Sequence, residues 1–358
     1  MTSGKQDTTT PVFIVSSYVN SNGILRFVNE QVQSYIRQGY KVTSVSLTPS
    51  TNSDVSYDLQ TCRGALRWLL FCLRPKKALT ILHYYNSIVF PKHRNLGLFN
   101  ARVLKLLQIL ALASVGRTSS DSRVYFHEIE TGSGIIWWWR TVLNFCLCSF
   151  KLLNFYNNAF RETVTDTFVG LRSKPFAIED HSQHMTRLFL GSQSEARTLL
   201  KIPEKAVVFL CLGFISYWKG IDIAVKAFGQ ADLKNAQLHI VGSPGDLKEP
   251  VEFCAALHKL ASNYENVRIT EDFVEDVMFD CWLQAADVLI LPYRSISSSG
   301  VGARGLVYGK QLVISDLPSL KESLPEATVF RDEKHLAEIL LDLSNRLSGQ
   351  QDSPLVKP

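Results

Sequence analysis

The sequence predicts an α/β protein built from doubly wound parallel sheets, and three observations support this fold class. Apolar runs of strand length alternate with segments of helical periodicity along nearly all of the 358 residues. These apolar runs are continuous, which is typical of parallel strands that are covered by helices on both faces. The chain is also longer than one ordinary domain, so we expect two domains.

The first half opens with an apolar strand at 12–17, and a segment of helical spacing at 27–38 ends before Gly39. Further strands of this half are predicted at 41–47, 78–83 and 123–127, and further helices at 66–73 and 101–113. The same alternation is clearer in the second half. Its strands are predicted at 206–212, 237–241, 267–270, 288–291 and 312–315, and its helices at 221–228, 251–264, 275–285, 301–308 and 337–347.

Right-handed crossover connections between parallel strands then produce a doubly wound sheet in each half. A polar run at 179–184 separates the two halves, so we place the domain boundary near Thr186. The predicted domains are therefore residues 1–186 and 187–358.

The segment Gly134–Tyr156 is apolar and about long enough to span a bilayer. Arg140, Asn144 and Lys151 interrupt it, and a charge near the bilayer centre costs a few kcal/mol. We therefore expect a helix that is either buried or lies in the membrane interface. The three consecutive tryptophans at 137–139 favour the interface, and packing of an aromatic helix end inside the protein is the alternative.

Composition excludes several classes of protein. The net charge of +5 is mild and does not indicate nucleic-acid binding. The seven cysteines include no Cys-x-x-Cys pair, which indicates reduced thiols and argues against a disulfide framework or a structural zinc site. The first ten residues are polar, so we expect no secretory signal and a cytoplasmic protein.

In a doubly wound sheet, ligands bind beyond the carboxyl ends of the strands. Strand 206–212 is followed by Gly213-Phe214-Ile215-Ser216-Tyr217-Trp218-Lys219-Gly220. This order places Lys219 beside a helix start, where the helix dipole and the ammonium group can both bind a phosphate. A solvated lysine before a tight turn is the simpler interpretation of this loop taken alone.

A second such loop follows strand 288–291, where Ser298 and Ser299 precede a helix that starts with Gly300 and Val301. Serines at this position cap free N–H groups, and the helix start is suited to a diphosphate. Gly302 and Gly305 lie inside the helix at a cost of about 1 kcal/mol each relative to alanine. They indicate close approach either to a ligand or, especially at Gly305, to a neighbouring strand.

Gly-x-Gly-x-x-Gly is absent after the first strand, and so is a Walker loop, which argues against a dehydrogenase or a P-loop enzyme. The two loops, together with residues 192–197 and the run Ala285–Tyr293, resemble glycosyltransferase family 4, a group of enzymes with the GT-B fold. The match extends from about Ser192 to Glu322. The first half agrees more loosely, through its opening strand, the Gly23 loop and residues 38–42.

This resemblance implies two Rossmann-like domains that face a cleft, with an acceptor domain at 1–186 and a donor domain at 187–358. It implies retaining transfer from a nucleoside-diphosphate sugar without an obligatory metal or cofactor. Lysine and helix amides would then stabilise the departing diphosphate. The implied diphosphate ligands are Lys219, Ser298, Ser299, Gly300 and Val301. Gly213, Phe273 and Val274 match the segments around the nucleotide.

Two positions depart from the family pattern. Ser216 occupies the place of a customary arginine, and Ile296 and Arg304 occupy the places of a Glu-x7-Glu pair. We hypothesise that Arg304 supplies the missing positive charge at the diphosphate.

In the first domain, His127 and Glu128 follow a strand end where the family often has a histidine that faces the reacting sugar, so they are the candidate catalytic residues. A pair that is hydrogen-bonded only for structure is the alternative. Gly23 is expected in a loop near the sugar or acceptor.

The acceptor is expected to be a lipid-linked molecule or a polysaccharide, with the protein peripheral on the inner face of the membrane. The tryptophan-rich segment and the basic run Arg74-Pro75-Lys76-Lys77 suggest this location. A non-catalytic relative that serves as a scaffold or partner subunit is an alternative, because Ser216 and Arg304 depart from the pattern. A nucleotide-sugar epimerase is a third hypothesis.

Overall fold

A computed structural model describes residues 9–17, 24–85, 98–127, 129, 137–233, 235–244 and 248–351. The chain divides into two compact units, residues 1–184 and 185–358. The division falls next to the expected boundary at Thr186. Each unit is an α/β domain with one parallel sheet.

Unit 1 contains a seven-stranded sheet in the order β3-β2-β1-β4-β5-β6-β7, and every neighbouring pair is parallel. The strands are β1 Val12–Ser16, β2 Val42–Ser46, β3 Val55–Ser56, β4 Lys76–Tyr84, β5 Ser119–Phe126, β6 Leu152–Phe155 and β7 Phe176–Ile178. The central strand β4 is buried from Ala78 to Tyr84, as its continuous apolar run predicts. The strand order reverses between β1 and β4.

The helices of unit 1 are α1 Ile24–Arg37, α2 Cys62–Leu73, α3 Leu98–Thr118, α4 Trp137–Leu147 and α5 Asn158–Thr167. Thr61 and Asn157 cap α2 and α5 by accepting hydrogen bonds from the backbone N–H groups of Gly64 and Phe160. Helix α3 packs against both α2 and α4, so the three form a continuous layer.

Unit 2 contains a six-stranded parallel sheet in the order β10-β9-β8-β11-β12-β13. Its strands are β8 Val207–Leu212, β9 Ala236–Gly242, β10 Val267–Glu271, β11 Val288–Leu291, β12 Gln311–Ser315 and β13 Thr328–Phe330. Counted within the unit, this is the strand order of a dinucleotide-binding Rossmann sheet, with its switch point between β8 and β11.

The helices of unit 2 are α6 Gln193–Leu200, α7 Ile221–Gln230, α8 Lys248–Ala261, α9 Asp276–Ala285, α10 Gly300–Val307, α11 Pro318–Ser323 and α12 Glu333–Gln351. Ser192 and Glu195 form a capping box at the start of α6. Ile221, Ala224, Val225 and Phe228 of α7 are buried on one face, as their spacing predicts.

The expectation of one helix across Gly134–Tyr156 is wrong for the described part of that segment. Helix α4 ends at Leu147, and strand β6 begins at Leu152. The side chains of two of the three tryptophans are described, and they differ in exposure. Trp139 lies in the core, whereas Trp138 is 45% exposed. Among the described residues, no helix has the length and apolar character needed to cross a bilayer.

Candidate functional site

The two loops singled out in the sequence follow β8 and β11, the adjacent strands on either side of the switch point of unit 2. The first loop leaves β8 at Gly213 and contains a short 3-10 turn, Tyr217–Lys219, before α7. The second leaves β11 and leads to α10. Both therefore emerge at the edge of the sheet where doubly wound folds bind ligands.

A close contact between their backbones and an ion pair hold the two loops together. Gly220 has a positive φ of 62°, and a Cβ atom there would lie 1.9 Å from the carbonyl oxygen of Pro292, so only glycine fits. The Arg294 guanidinium binds both carboxylate oxygens of Asp222 at 2.8 Å. Its backbone N–H donates to the carbonyl of Trp218 at 2.9 Å. This clamp fixes the position of the lysine between them.

Lys219 and Ser299 are joined through Tyr293. The Lys219 Nζ atom donates to the Tyr293 hydroxyl oxygen at 2.9 Å, and that hydroxyl lies 3.2 Å from the Ser299 Oγ atom. The Ser299 Oγ atom also accepts from the backbone N–H of Gly302, which caps α10. A lysine ammonium and a helix N-terminus therefore converge at one point.

The ammonium group of Lys219 is buried beside two aromatic rings. Lys219 is only 8% exposed, and its Nζ atom lies 4.1 Å from the ring centre of Tyr293 and 4.6 Å from that of Trp218. Across the described ranges, no carboxylate pairs with it. Burying an unpaired charge is costly, and the aromatic rings offset only part of that cost. The site is consequently suited to an anionic ligand.

Ser216, at the customary arginine position, carries a buried hydroxyl in the same loop. It is 5% exposed, and its Oγ atom has no hydrogen-bond partner among the described residues. Gly213 lies close to the first turn of α10, because a Cβ atom on it would be 3.5 Å from the Val301 side chain. Ser298, Gly300 and Val301 are each partly buried around this helix start.

The two glycines inside α10 face the sheet. A Cβ atom on Gly302 would lie 2.9 Å from the Leu291 side chain, and one on Gly305 would lie 2.7 Å from that of Leu289. Both glycines thus allow close packing of the helix on β11. The sequence left open whether each glycine allows the approach of a ligand or of a neighbouring strand. The contacts favour the neighbouring strand at both Gly302 and Gly305.

The charge of Arg304 is already balanced within unit 2. Its Nη1 atom lies 3.5 Å from the carboxylate of Asp280 and donates to the carbonyl of Thr186 at 3.0 Å. Arg304 is 3% exposed, and Asp280 is fully buried and also accepts from the Tyr308 hydroxyl at 2.6 Å. These contacts favour a role for Arg304 in stability rather than the diphosphate contact hypothesised from the sequence.

Phe273 and Val274 follow the carboxyl end of β10, on the same side of the sheet as the two loops. Phe273 is 55% exposed, whereas Val274 packs against buried residues of the core. An exposed aromatic ring beside the strand ends is available for stacking on a planar base. The role of Phe273 and Val274 beside the nucleotide stays a prediction.

In unit 1, His127 belongs to a buried chain of hydrogen bonds. Its Nε2 atom lies 2.8 Å from the Nδ1 atom of His83, whose Nε2 atom lies 2.9 Å from the Gln31 Oε1 atom. With the Gln31 oxygen as acceptor, His83 donates to it and accepts from His127. The Tyr156 hydroxyl lies 3.5 Å from the remaining nitrogen of His127. Glu128 and Gly23 lie outside the described residues.

Burial sets the protonation of these two histidines. It lowers the pKa of His83 to about 3 and holds the pKa of His127 well below its usual range. Both imidazoles are therefore neutral at pH 7. His181 and His184 pack their rings beside Phe27 in the same cluster. The geometry favours the structural alternative for His127.

We expect the stability of unit 1 to decline as the pH falls below about 6.5. In the unfolded chain His83 and His127 bind protons at this pH, whereas in the folded chain they are buried and remain neutral. Each contributes a loss of about 1.4 kcal/mol per pH unit, and the loss by His83 continues toward its folded-state pKa. Thermal unfolding between pH 7.5 and 5.5 measures it. His83→Gln should flatten the profile, and equal profiles for wild type and His83→Gln would contradict the assignment.

Tyr293 is the functional side chain that sequence reasoning did not assign. It is the last residue of the run Ala285–Tyr293 that supports the family resemblance, and its hydroxyl links Lys219 to Ser299. Its position two residues after β11, at the switch point, was the available signal. The clamp between Asp222 and Arg294 was likewise not predicted.

The segment that contains this site is similar to a known protein family. Residues 206–346 match the family described as "Glycosyl transferases group 1". This span contains both loops, Lys219, Tyr293 and Ser299. No curated protein is matched by its sequence.

Solved structures resemble the whole chain. Sucrose-phosphate synthase from Thermosynechococcus elongatus has a TM-score of 0.67 at 13% identity, covering 95% of this chain and 90% of that one. A glycosyltransferase from Rickettsia africae has a TM-score of 0.67 at 12% identity, with 96% and 92% covered. An α,α-trehalose-phosphate synthase (UDP-forming) from Burkholderia xenovorans, in complex with glucose-6-phosphate, has a TM-score of 0.61 at 12% identity, with 95% and 96% covered. The chain thus has the two-domain GT-B fold of these structures, and its residues 206–346 are similar to the group 1 glycosyl transferases.

Proposed function

We propose that the protein is an active glycosyltransferase that takes a sugar from a nucleoside-diphosphate sugar. The observation that carries this proposal is the buried ammonium of Lys219, which has no carboxylate partner among the described residues and converges with the start of α10 through Tyr293. A diphosphate would supply the missing negative charge. The exposed ring of Phe273 would stack on the base.

The chemistry follows from the charge that develops during transfer. Cleavage of the bond between the anomeric carbon and the diphosphate leaves an electron-poor, oxocarbenium-like carbon and places negative charge on the departing oxygen. Lys219, Ser299 and the first N–H groups of α10 would stabilise that oxygen. We propose that this arrangement makes a metal ion at the diphosphate unnecessary. Retention of configuration is proposed from the family resemblance.

We further propose that the acceptor is lipid-linked or a polysaccharide and is reached at a membrane surface. The support is the outer face of helices α2, α3 and α4, which we call the helix layer. Seven large apolar side chains of this layer are between 45% and 60% exposed. They lie at helical spacings and comprise Leu66, Leu70, Leu73, Leu106, Leu110, Trp138 and Phe145.

Charge complements these apolar groups. The three helices carry no acidic residue, and their basic residues are Arg63, Arg67, Arg102, Lys105, Arg117 and Arg140. Arg117 lies 4.8 Å above the exposed Phe145 ring. In the basic run that follows α2, Arg74 and Lys77 are exposed, whereas Lys76 donates to the carbonyls of Phe71 and Arg74. Apolar and basic groups on one face are suited to an anionic lipid surface.

The helix layer makes a testable prediction. Arg63→Glu combined with Arg67→Glu should weaken binding to phosphatidylglycerol-containing vesicles at least ~tenfold, because each basic residue near an anionic surface contributes about 1 kcal/mol. Cosedimentation with vesicles measures this effect. Lys205→Glu combined with Lys226→Glu, on exposed positions of unit 2, is the matched control. Equal binding of both double variants, or equal binding to neutral vesicles, would refute the membrane part.

The function itself is tested by a thermal-shift screen of nucleoside diphosphates and their sugars. A ligand at a hundredfold excess over its dissociation constant adds about 2.7 kcal/mol of stability. Binding of at least one of these ligands supports the donor site. Incubation of that donor with and without lipid acceptors then separates transfer, which needs an acceptor, from epimerisation, which does not. Ser216 at the arginine position favours the non-catalytic alternative, which failure of every nucleotide to bind would support.

A further inference from the structure

A second group of polar side chains lies in unit 2, away from Lys219 and Ser299. Cys254 and His258 stand four residues apart on α8, so they share one face of the helix. Glu271 is the last residue of β10. The thiol, imidazole and carboxylate atoms of these residues all lie within 4.8 Å of one another. They are the only such group of three found in the described part of the chain.

One carboxylate oxygen of Glu271 contacts both of the other groups. The Glu271 Oε2 atom lies 3.3 Å from the Cys254 Sγ atom and 2.9 Å from the His258 Nε2 atom. Ligand atoms on a tetrahedral zinc ion, with bonds of about 2.0–2.3 Å, are about 3.3–3.7 Å apart. The distance between His258 and Glu271 must lengthen by a few tenths of an ångström, and the Cys254 Sγ and His258 Nε2 atoms already lie within 4.8 Å of one another. Both side chains are nearly half exposed and can move.

We propose that Cys254, His258 and Glu271 form a zinc-binding site that is separate from the diphosphate site. One sulfur, one imidazole nitrogen and one carboxylate oxygen form a ligand set that zinc accepts. Magnesium and calcium prefer oxygen ligands throughout, so this set disfavours them. Three protein ligands leave a fourth position for water, which the exposure of His258 and Glu271 allows.

The position of the site indicates what the ion would do. It would join α8 to the carboxyl end of β10, two residues before Phe273. Phe253, next to Cys254, contacts the ring of Tyr217 at a centroid distance of 6.0 Å. Tyr217 belongs to the loop that carries Lys219. The zinc site would thus brace the helix behind that loop, and it does not depend on the proposed transferase activity.

Zinc binding is measured directly on the full chain by competition with a chromophoric zinc chelator. We expect wild type to bind one zinc ion per chain. Cys254→Ser and His258→Gln should each weaken binding at least ~tenfold. Cys62→Ser, which alters an exposed cysteine, is the matched control and should bind as wild type. Cobalt replacement should give a thiolate charge-transfer band in wild type and in Cys62→Ser, but not in Cys254→Ser.

Absence of zinc binding by the folded wild-type chain would overturn the proposal, since the three groups would then form only a hydrogen-bonded cluster. Equal binding by wild type and His258→Gln would also overturn it, by placing the ion elsewhere. His258 is half exposed, so its substitution should leave the fold intact. Neither result depends on nucleotide binding, which keeps this test separate from that of the proposed function.

Discussion

Lys219→Met is expected to lower the affinity for a nucleoside diphosphate about 10- to 150-fold, which corresponds to 1.5–3 kcal/mol for a hydrogen bond to a charged group. The reason is that Lys219 is the buried cation that Tyr293 links to the start of α10, and methionine retains its length without its charge. The free protein should keep or gain stability, because the substitution removes a buried charge that has no described counter-ion. Calorimetric titration and thermal unfolding measure the two effects.

Two control variants sharpen this expectation. Lys226→Met, on the exposed face of α7, should leave both affinity and stability unchanged. Arg304→Ala should leave affinity unchanged but reduce stability, because it strands the buried carboxylate of Asp280. Wild-type affinity in Lys219→Met would eliminate the proposed diphosphate site. A large loss of affinity in Arg304→Ala would restore the hypothesis that its charge reaches the ligand.

Asp287→Ala is expected to destabilise unit 2 by about 3–5 kcal/mol, the usual cost of removing one partner of a buried ion pair. Asp287 precedes β11 and accepts from the Arg197 guanidinium at 2.7 Å, the backbone N–H of Val208 at 2.8 Å and the Gln193 amide at 2.9 Å. Arg197 is 2% exposed, so its charge would remain buried without this partner. Chemical unfolding, followed by a probe in unit 2, measures the loss.

The matched comparison is Asp166→Ala, which removes the partner of Arg172 from an exposed pair. Such pairs contribute about 0–1 kcal/mol, so this variant should unfold close to wild type. Replacing both buried partners, as Arg197→Met with Asp287→Leu, should recover much of the loss. If Asp287→Ala loses no more stability than Asp166→Ala, the pair does not anchor α6 to the sheet.

The sequence predicted five of the six strands of unit 2, because apolar runs such as that of β11 alternate with helices of clear periodicity, and it missed the short strand β13. The predicted strand 288–291 matches β11, and the helix predicted at 301–308 is α10 displaced by one residue. In unit 1 it missed the short strands β3, β6 and β7, which have two, four and three residues. Gly134–Tyr156 was misread because a helix and a strand, both apolar, follow one another with only four residues between them.

The loops of the candidate site were predictable because both follow strands beside the switch point. In contrast, the sequence could not show which side chains contact one another. Arg304 lies inside α10 at a position that sequence alone allows to face either a ligand or the core, and Asp280 is 24 residues away. The cluster at Cys254 escaped detection for the same reason, since its carboxylate comes from a strand 17 residues further along the chain.

The aromatic contact of Lys219 has a practical consequence. Its ammonium lies 4.6 Å from the indole ring of Trp218, which is 39% exposed, so any anion that draws this charge away alters the electric field at a natural fluorophore. Occupancy could then be followed by intrinsic emission without a label. Trp218→Phe would identify the signal against the background of the other five indoles in the chain.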